Sequence, residues 1–153
     1  MYRLVDNSSA GHFYTTSATE RSAAVAQYGY QSENVAFYAF TSFDTVLLYR
    51  LTNGHQWYTI DLTECYNAIT QLGQHAEDVA CFVAASQASG TSPFYRLLNP
   101  LDSARFYTTS ADERDAAITD LGYQLEGISG YLYTDQASAT VPLFRLLKTD
   151  LCS

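Results

Sequence analysis

Apolar and polar positions along this chain follow one order three times over: two short aromatic runs, a helical pattern, and a longer run of β-branched and aromatic residues. The first run reads Tyr2-Arg3-Leu4, Tyr49-Arg50-Leu51 and Tyr95-Arg96-Leu97, and returns as Phe144-Arg145-Leu146. The second reads Phe13-Tyr14-Thr15, Trp57-Tyr58-Thr59 and Phe106-Tyr107-Thr108. Such content suits pleated strands. Ser17-x-x-Glu20, Asp61-x-x-Glu64 and Ser110-x-x-Glu113 then match capping boxes, in which a side-chain oxygen accepts from a free amide of the first turn and the Glu reaches back. Behind them Ala24, Val25 and Tyr28, then Ala68, Ile69 and Leu72, then Ala117, Ile118 and Leu121 recur at the spacing of one apolar helix face. Each helix is expected to stop at Gly29, Gly73 or Gly122. Residues 35–40, 79–84 and 128–133 read as the strands that follow.

Segment 12–40 aligns without gaps on 105–133 and matches it at about half of the positions, which duplication explains and chance does not. Asn53-Gly54 between apolar runs is a strong hairpin signal, and residues 6–11 and 99–104 hold the equivalent place, so the first two strands of each unit should pair antiparallel. The expected fold is mainly β with one short helix per repeat (α+β). Three antiparallel meanders, at about 1–46, 47–92 and 93–141, form a single domain, a pseudo-threefold toroid resembling a three-bladed propeller. A closing strand at 142–148 completes it. A β-trefoil shares the threefold symmetry, but a capped helix in every unit argues against it. One unit alone would be marginal, so the three should close a common core.

Composition narrows the function. The chain of 153 residues has a net charge of −8, which disfavours nucleic acid and membrane surfaces, since both demand clustered Lys and Arg. No apolar stretch approaches the roughly 20 residues of a bilayer span. Met1 leads straight into the first repeat without a signal peptide, so a cytosolic chain and a mature secreted one are both consistent. Cys65, Cys81 and Cys152 have no metal-ligand spacing and an odd count; mostly free thiols are expected, with one disulfide as the alternative. Asn7-Ser8-Ser9 matches the short N-glycosylation pattern. Nothing calls for a metal or cofactor.

Tyr is abundant, with 13 copies, and aromatic bodies with polar tips suit recognition surfaces. Strand neighbours face opposite sides, so Phe13, Trp57 and Phe106 are expected in the core while Tyr14, Tyr58 and Tyr107 face a ligand. His12, Gln56 and Arg105 share one slot that stays polar while its charge changes, and His55 precedes the second; such a slot is expected to face solvent near a site. Arg3, Arg50, Arg96 and Arg145 on strands, and Arg21 and Arg114 after the capping Glu, occupy repeat positions. Two acidic sets recur in every unit: Glu20, Glu64 and Glu113, and Glu33, Glu77 and Glu126. Both sets read first as framework ion pairs and caps, and second as one set in a ligand role. The candidate ligand-binding residues are therefore His12, Tyr14, Arg21, Glu33, His55, Tyr58, Arg105, Tyr107, Arg114 and Glu126. No catalytic signature is present: no nucleophile elbow, zinc-protease helix or phosphate-cradling loop.

Taken together, Phe94-Tyr95-Arg96-Leu97-Leu98-Asn99-Pro100, Arg105-Phe106-Tyr107-Thr108-Thr109-Ser110, Glu113-Arg114, Leu121-Gly122-Tyr123 and Glu126-Gly127-Ile128 resemble a tandem repeat family of unknown function. That family occurs in mushroom lectin-like proteins and as modules attached to secreted, cell-wall-associated hydrolases and peptidases. The resemblance covers essentially the whole chain and implies a lectin or a module that targets cell-wall glycans. The family usually has His before Phe-Tyr-Thr, which only His12 keeps here. The second repeat departs furthest, with a shorter hairpin, Cys65 in place of Arg and Gln74 in place of Tyr.

The expected function is thus non-enzymatic, multivalent carbohydrate binding, with glycans or glycoproteins as partners and homo-oligomerisation left open. One alternative is a protein-binding module such as a protease inhibitor, acting through loop 85–92 or 6–11. Another is a glycoside hydrolase with a repeated carboxylate pair, Glu20 with Glu33.

Overall fold

The computed structural model describes residues 12–40, 45–137 and 140–148, and within them the side chains of all but Asn34, Asp78 and residues 145–148. The expectations for Tyr2-Arg3-Leu4, for loop 6–11 with its glycosylation pattern, and for Cys152 lie outside the described residues, as do residues 41–44 and 138–139 of the inter-unit connections.

The protein is mainly β, with three helices. Its strands are β1 (Phe13–Thr15), β2 (Tyr30–Phe40), β3 (Val46–Thr52), β4 (Gln56–Thr59), β5 (His75–Val83), β6 (Thr91–Leu98), β7 (Arg105–Thr108), β8 (Gln124–Tyr133) and β9 (Thr140–Lys148). Its helices, α1 (Ala18–Tyr28), α2 (Leu62–Leu72) and α3 (Ala111–Leu121), each follow one of the short strands. The strands make one antiparallel sheet in which β4-β3-β5-β2-β8-β6-β7 run in order, with β9 joining β1 to β2.

That order decomposes into three like units: β4-β3-β5 with α2, β7-β6-β8 with α3, and β1-β9-β2 with α1. Registers agree between them: Arg50 faces Tyr58, Arg96 faces Tyr107, and Arg145 faces Tyr14. The first unit is therefore completed by β9 from the far end of the chain. The long strands β2, β5 and β8 touch pairwise at Phe40 and Phe82, Tyr38 and Tyr133, and the bridge between Ala84 and Tyr131. Gly130 makes the last approach possible: at φ 110° it lies where a Cβ would come within 2.5 Å of the Val83 side chain.

The helices begin and end where the sequence expects. Ser17, Asp61 and Ser110 accept from amides of the first turn, and Gly29, Gly73 and Gly122 take the left-handed conformation at the other end. The strands after them start earlier than expected, within two residues of the glycine, because Gln31 and Ser32, His75 and Ala76, and Gln124 and Leu125 also pair in the ladders, while Glu33, Glu77 and Glu126 are skipped at bulges.

Two expectations are corrected. Of the anticipated helix faces only Ala24, Ala68 and Ala117 are buried; Val25, Tyr28, Ile69, Leu72, Ile118 and Leu121 are exposed. An alanine lets each helix lie close on its strand's aromatic ring, so the longer apolar side chains fall beyond the contact. Second, the Glu of each box does not supply its reach-back half. Thr15, Thr59 and Thr108 hydroxyls accept from the N-cap amides of Ser17, Asp61 and Ser110 at 3.0, 3.1 and 3.0 Å.

Four apolar clusters result. Each helix covers its own: Phe13 with Ala24; Trp57 with Leu51, Cys65 and Ala68; Phe106 with Leu97 and Ala117. The fourth is shared by all three units and contains Tyr14, Tyr58, Tyr107, Phe37, Leu48, Phe94, Leu132 and Leu143.

Candidate functional site

The three tyrosines correct the sequence expectation most sharply. Tyr14, Tyr58 and Tyr107 are fully buried at the shared centre. Strand alternation does send Phe13 and Tyr14 to opposite sides, but both sides are covered, one by the helix and the other by the neighbouring units. The Tyr14 hydroxyl donates to the Tyr107 carbonyl (2.8 Å), Tyr107 to the Tyr58 carbonyl (3.2 Å), and Tyr58 to the Tyr14 carbonyl (3.2 Å). The cycle is tightened by the amides of Tyr14 and Tyr58, which donate to the hydroxyls of Tyr58 and Tyr107. Ring centroids stand 5.3 to 5.8 Å apart, nearly perpendicular. Burial pushes the phenols of Tyr58 and Tyr107 well above their ordinary range, which keeps them as neutral donors. These tyrosines hold the units together and present nothing to a ligand.

Accessible space lies instead at the boundaries between units. One hollow of about 460 Å³ is lined by Thr15, Ser17 and Glu20 from the first repeat and by Arg50, Val79 and Ala80 from the second. A second, of about 220 Å³, is lined by Thr59, Asp61 and Glu64 and by Arg96, Ile128 and Ser129 of the third. Position for position these are the same residues in the repeat. Each hollow therefore combines a helix N-terminus of one unit with two strands of the next.

An arginine organises each. Arg50 donates from both Nη atoms to Glu20 (3.4 and 3.0 Å), and its Nε lies 2.7 Å from Glu77 Oε2, off the N–H direction. Arg96 donates to Glu64 at 2.8 and 2.7 Å and to the Tyr58 carbonyl, with Nε 3.0 Å from Glu126. Because Thr15 and Thr59 satisfy the cap amides, Glu20 and Glu64 are released toward these arginines. Burial works against the Glu64 carboxylate, but hydrogen bonds from Arg96 and Thr59 and the charges of Arg96 and Arg105 outweigh it, leaving its pKa below the usual carboxylate range. The framework ion pairs anticipated for the repeated arginines and glutamates are thus present, and they cross between repeats. Glu20 shares its arginine with Glu77 of the following unit, so the carboxylates that meet are not the Glu20 and Glu33 of one repeat.

The other candidates are dispersed. Glu126 lines the second hollow, where Arg105 also grips it at 2.8 and 3.1 Å. The Arg105 guanidinium lies 3.9 Å from the centre of the Trp57 ring, and His12, in the same slot, lies 5.5 Å from Phe106. The variable slot is packed between units rather than turned to solvent. Arg21 donates to Ser32 and covers Phe144, and Arg114 bonds Asp115 and covers Tyr95, so each braces the outer side of its own unit. His55 ends the β3–β4 hairpin and Glu33 lies on β2; neither lines the hollows described. Missed as ligand candidates were Arg50, Arg96, Val79 and Ile128, while Glu20 and Glu64 read first as framework groups and caps. Their signal was available in the triple recurrence of Arg and Glu, but not the fact that they converge across a boundary.

Cys65 and Cys81 are buried thiols; desolvation pushes Cys81 up to about 12. Among the described residues no three His, Cys, Asp or Glu converge as a metal site, and no helix is long and apolar enough to cross a membrane.

No curated protein and no solved structure matches the chain. One family model matches twice, at residues 1–84 and at residues 52–152, the two matches beginning about one repeat apart. Both ends of the sheet fall within these matches, and the chain belongs to the family described as a domain of unknown function, DUF5648.

Proposed function

We propose that the protein is a multivalent carbohydrate-binding protein, a lectin, built as a pseudo-threefold, three-bladed-propeller-like body with its sites at the boundaries between blades. The observation that carries this is the repetition of one hollow: a fixed guanidinium between two carboxylates on one side, aliphatic Val79 or Ile128 on the other. A sugar hydroxyl both donates and accepts, so a vicinal pair can bridge a carboxylate oxygen and an arginine N–H while the ring's C–H face meets the aliphatic wall. The polar groups are held by one another, so little ordering is needed on binding.

The reading is non-enzymatic. Against the effect of burial, Arg96 holds Glu64 below the usual carboxylate range, which leaves this carboxylate unsuited to serve as the general acid that a glycosidase needs. Individual contacts of this kind are weak, and several on one rigid body gain about 10² to 10⁴ in avidity without new contacts.

A glycan array and red-cell agglutination test the proposal. Binding that falls in Arg50→Met and in Arg96→Met, with a further drop in the double variant, is the expected result. Silence on both assays with folded protein at high micromolar concentration overturns it, as does tight one-to-one inhibition of a protease unaffected by either substitution.

A further inference from the structure

The hollow at the first boundary does not end at its polar pocket. A neighbouring hollow, also about 460 Å³, is lined by Thr16, Val79 and Ala80, which both share, and then by Phe40, Leu47, Phe82 and Val141 over Cys81. The two adjoin at Thr16, Val79 and Ala80, one with a polar lining at the helix end and the other with an apolar one along β5. The apolar end stands on four paired strands: Phe82 faces Phe40 of β2 and Leu47 of β3, and Val141 of β9 lies beside Ala39. Phe82 and Val79 keep 38% and 42% of their surface exposed, so apolar area is open to a ligand without rearrangement.

The second boundary differs at the joining positions. Thr16 is replaced there by Ile60, which packs against the shared core, and Ala80 by Ser129. Among the described residues the extension is seen at the first boundary.

We propose that these adjoining hollows bind glycosides whose sugar carries an apolar aglycone, the sugar lying between Glu20 and Arg50 and the aglycone against Leu47, Phe82 and Val141. The inference rests on the carbohydrate reading and narrows it. A sugar alone fills the polar end and leaves the adjoining apolar wall in water; a short alkyl chain or aryl ring attached to it continues along Val79 and Ala80 and removes that wall from water. The ligand is thus defined by two joined chemistries rather than by a monosaccharide.

Calorimetric titration of the full chain with methyl, octyl and phenyl glycosides of the same sugar (β-glucose, β-galactose and α-mannose, octyl forms below their micelle concentration) tests this. For at least one sugar, the octyl or phenyl form should bind about tenfold tighter than the methyl form, the gain expected from burying roughly two methylene groups. A gain with octyl alone points to a lipid-linked sugar, and one with phenyl alone to an aromatic glycoside. Phe82→Ser and, independently, Leu47→Ser should abolish the gain and leave the methyl glycoside unchanged, since both residues line the apolar hollow alone. Methyl and octyl forms of equal affinity overturn the inference while sparing the carbohydrate reading. Octyl binding that survives Arg50→Met also overturns it, because the two ends would then act separately. If no glycoside binds and the array is silent, the carbohydrate reading itself fails, and this inference with it.

Discussion

The hollow between the first and second repeats and the one between the second and third use the same repeat positions, yet the first is about twice as large. Their arginines, helix caps and glutamates correspond. Around that frame their linings differ at Thr16 and Ile60, Ser17 and Asp61, Val79 and Ile128, and Ala80 and Ser129, and the slot beside it at Gln56 and Arg105. Arg105 stacks on Trp57 and takes both oxygens of Glu126, so that carboxylate serves two arginines, whereas Gln56 brings no second cation to Glu77. The pair teaches that the Arg and Glu positions recur as a common frame, while the room between them differs where the residues around that frame differ.

The largest effect is expected where both hollows have a common support. Tyr58→Ala should cost about 3–5 kcal/mol by leaving a large void, and it should erase the difference between the hollows along with binding at both. Alkali attacks the same support. Folded-state pKa values of Tyr58 and Tyr107 are raised, so their contribution is fully present below the unfolded value of about 10 and is lost as pH rises from there toward the folded values. Urea midpoints measured between pH 8 and 12 should fall steeply above pH 10 in wild type and less so in Tyr58→Phe.

Next come the arginines. Arg96→Met should destabilise by about 3 kcal/mol and Arg50→Met by about 2 kcal/mol, both trimmed by the partial exposure of their glutamates. The order follows the shorter bonds of Arg96 and its extra one to the Tyr58 carbonyl. Equal losses in denaturant titrations would mean that the two hollows are energetically alike.

A smaller cost, about 1 kcal/mol, is expected for Arg105→Gln, which gives the second boundary the slot residue of the first. The informative readout is affinity: in calorimetric titration with a bound glycan the second site should bind more tightly, and an unchanged affinity would assign the difference to Ile60 instead.

The smallest effect lies in acid. Glu64 has a depressed folded pKa, so its stabilisation is present above the ordinary carboxylate value of about 4.3 and is lost as pH falls through the lower folded value. Melting temperatures between pH 5 and 2 should fall more in wild type than in Glu64→Gln; parallel curves would show that the second hollow does not depend on this charge.

Much of the fold was legible because it is local. Ser17, Asp61 and Ser110, and the glycines twelve residues on, fix helix ends through backbone geometry that a few neighbours decide. The strand pairings across Asn53-Gly54 were readable for the same reason. The fate of Tyr14, Tyr58 and Tyr107 was not. Alternation states that a strand has two faces, but whether the second meets water or another unit depends on partners more than 40 residues away. The exposed side chains of Val25, Ile69 and Leu121 make the same point in reverse, since helical spacing cannot say how closely an alanine lets the helix approach.

By itself, then, the amino-acid order determined a thrice-repeated unit, its elements and the residues that recur in it. Only the tertiary arrangement decided that the recurring tyrosines close on one another at the centre and that Arg50 and Arg96 each meet glutamates from two different repeats. The physical reason is that propensity and capping act within a few residues, whereas burial and ion pairing are settled by whatever surface the neighbouring unit brings.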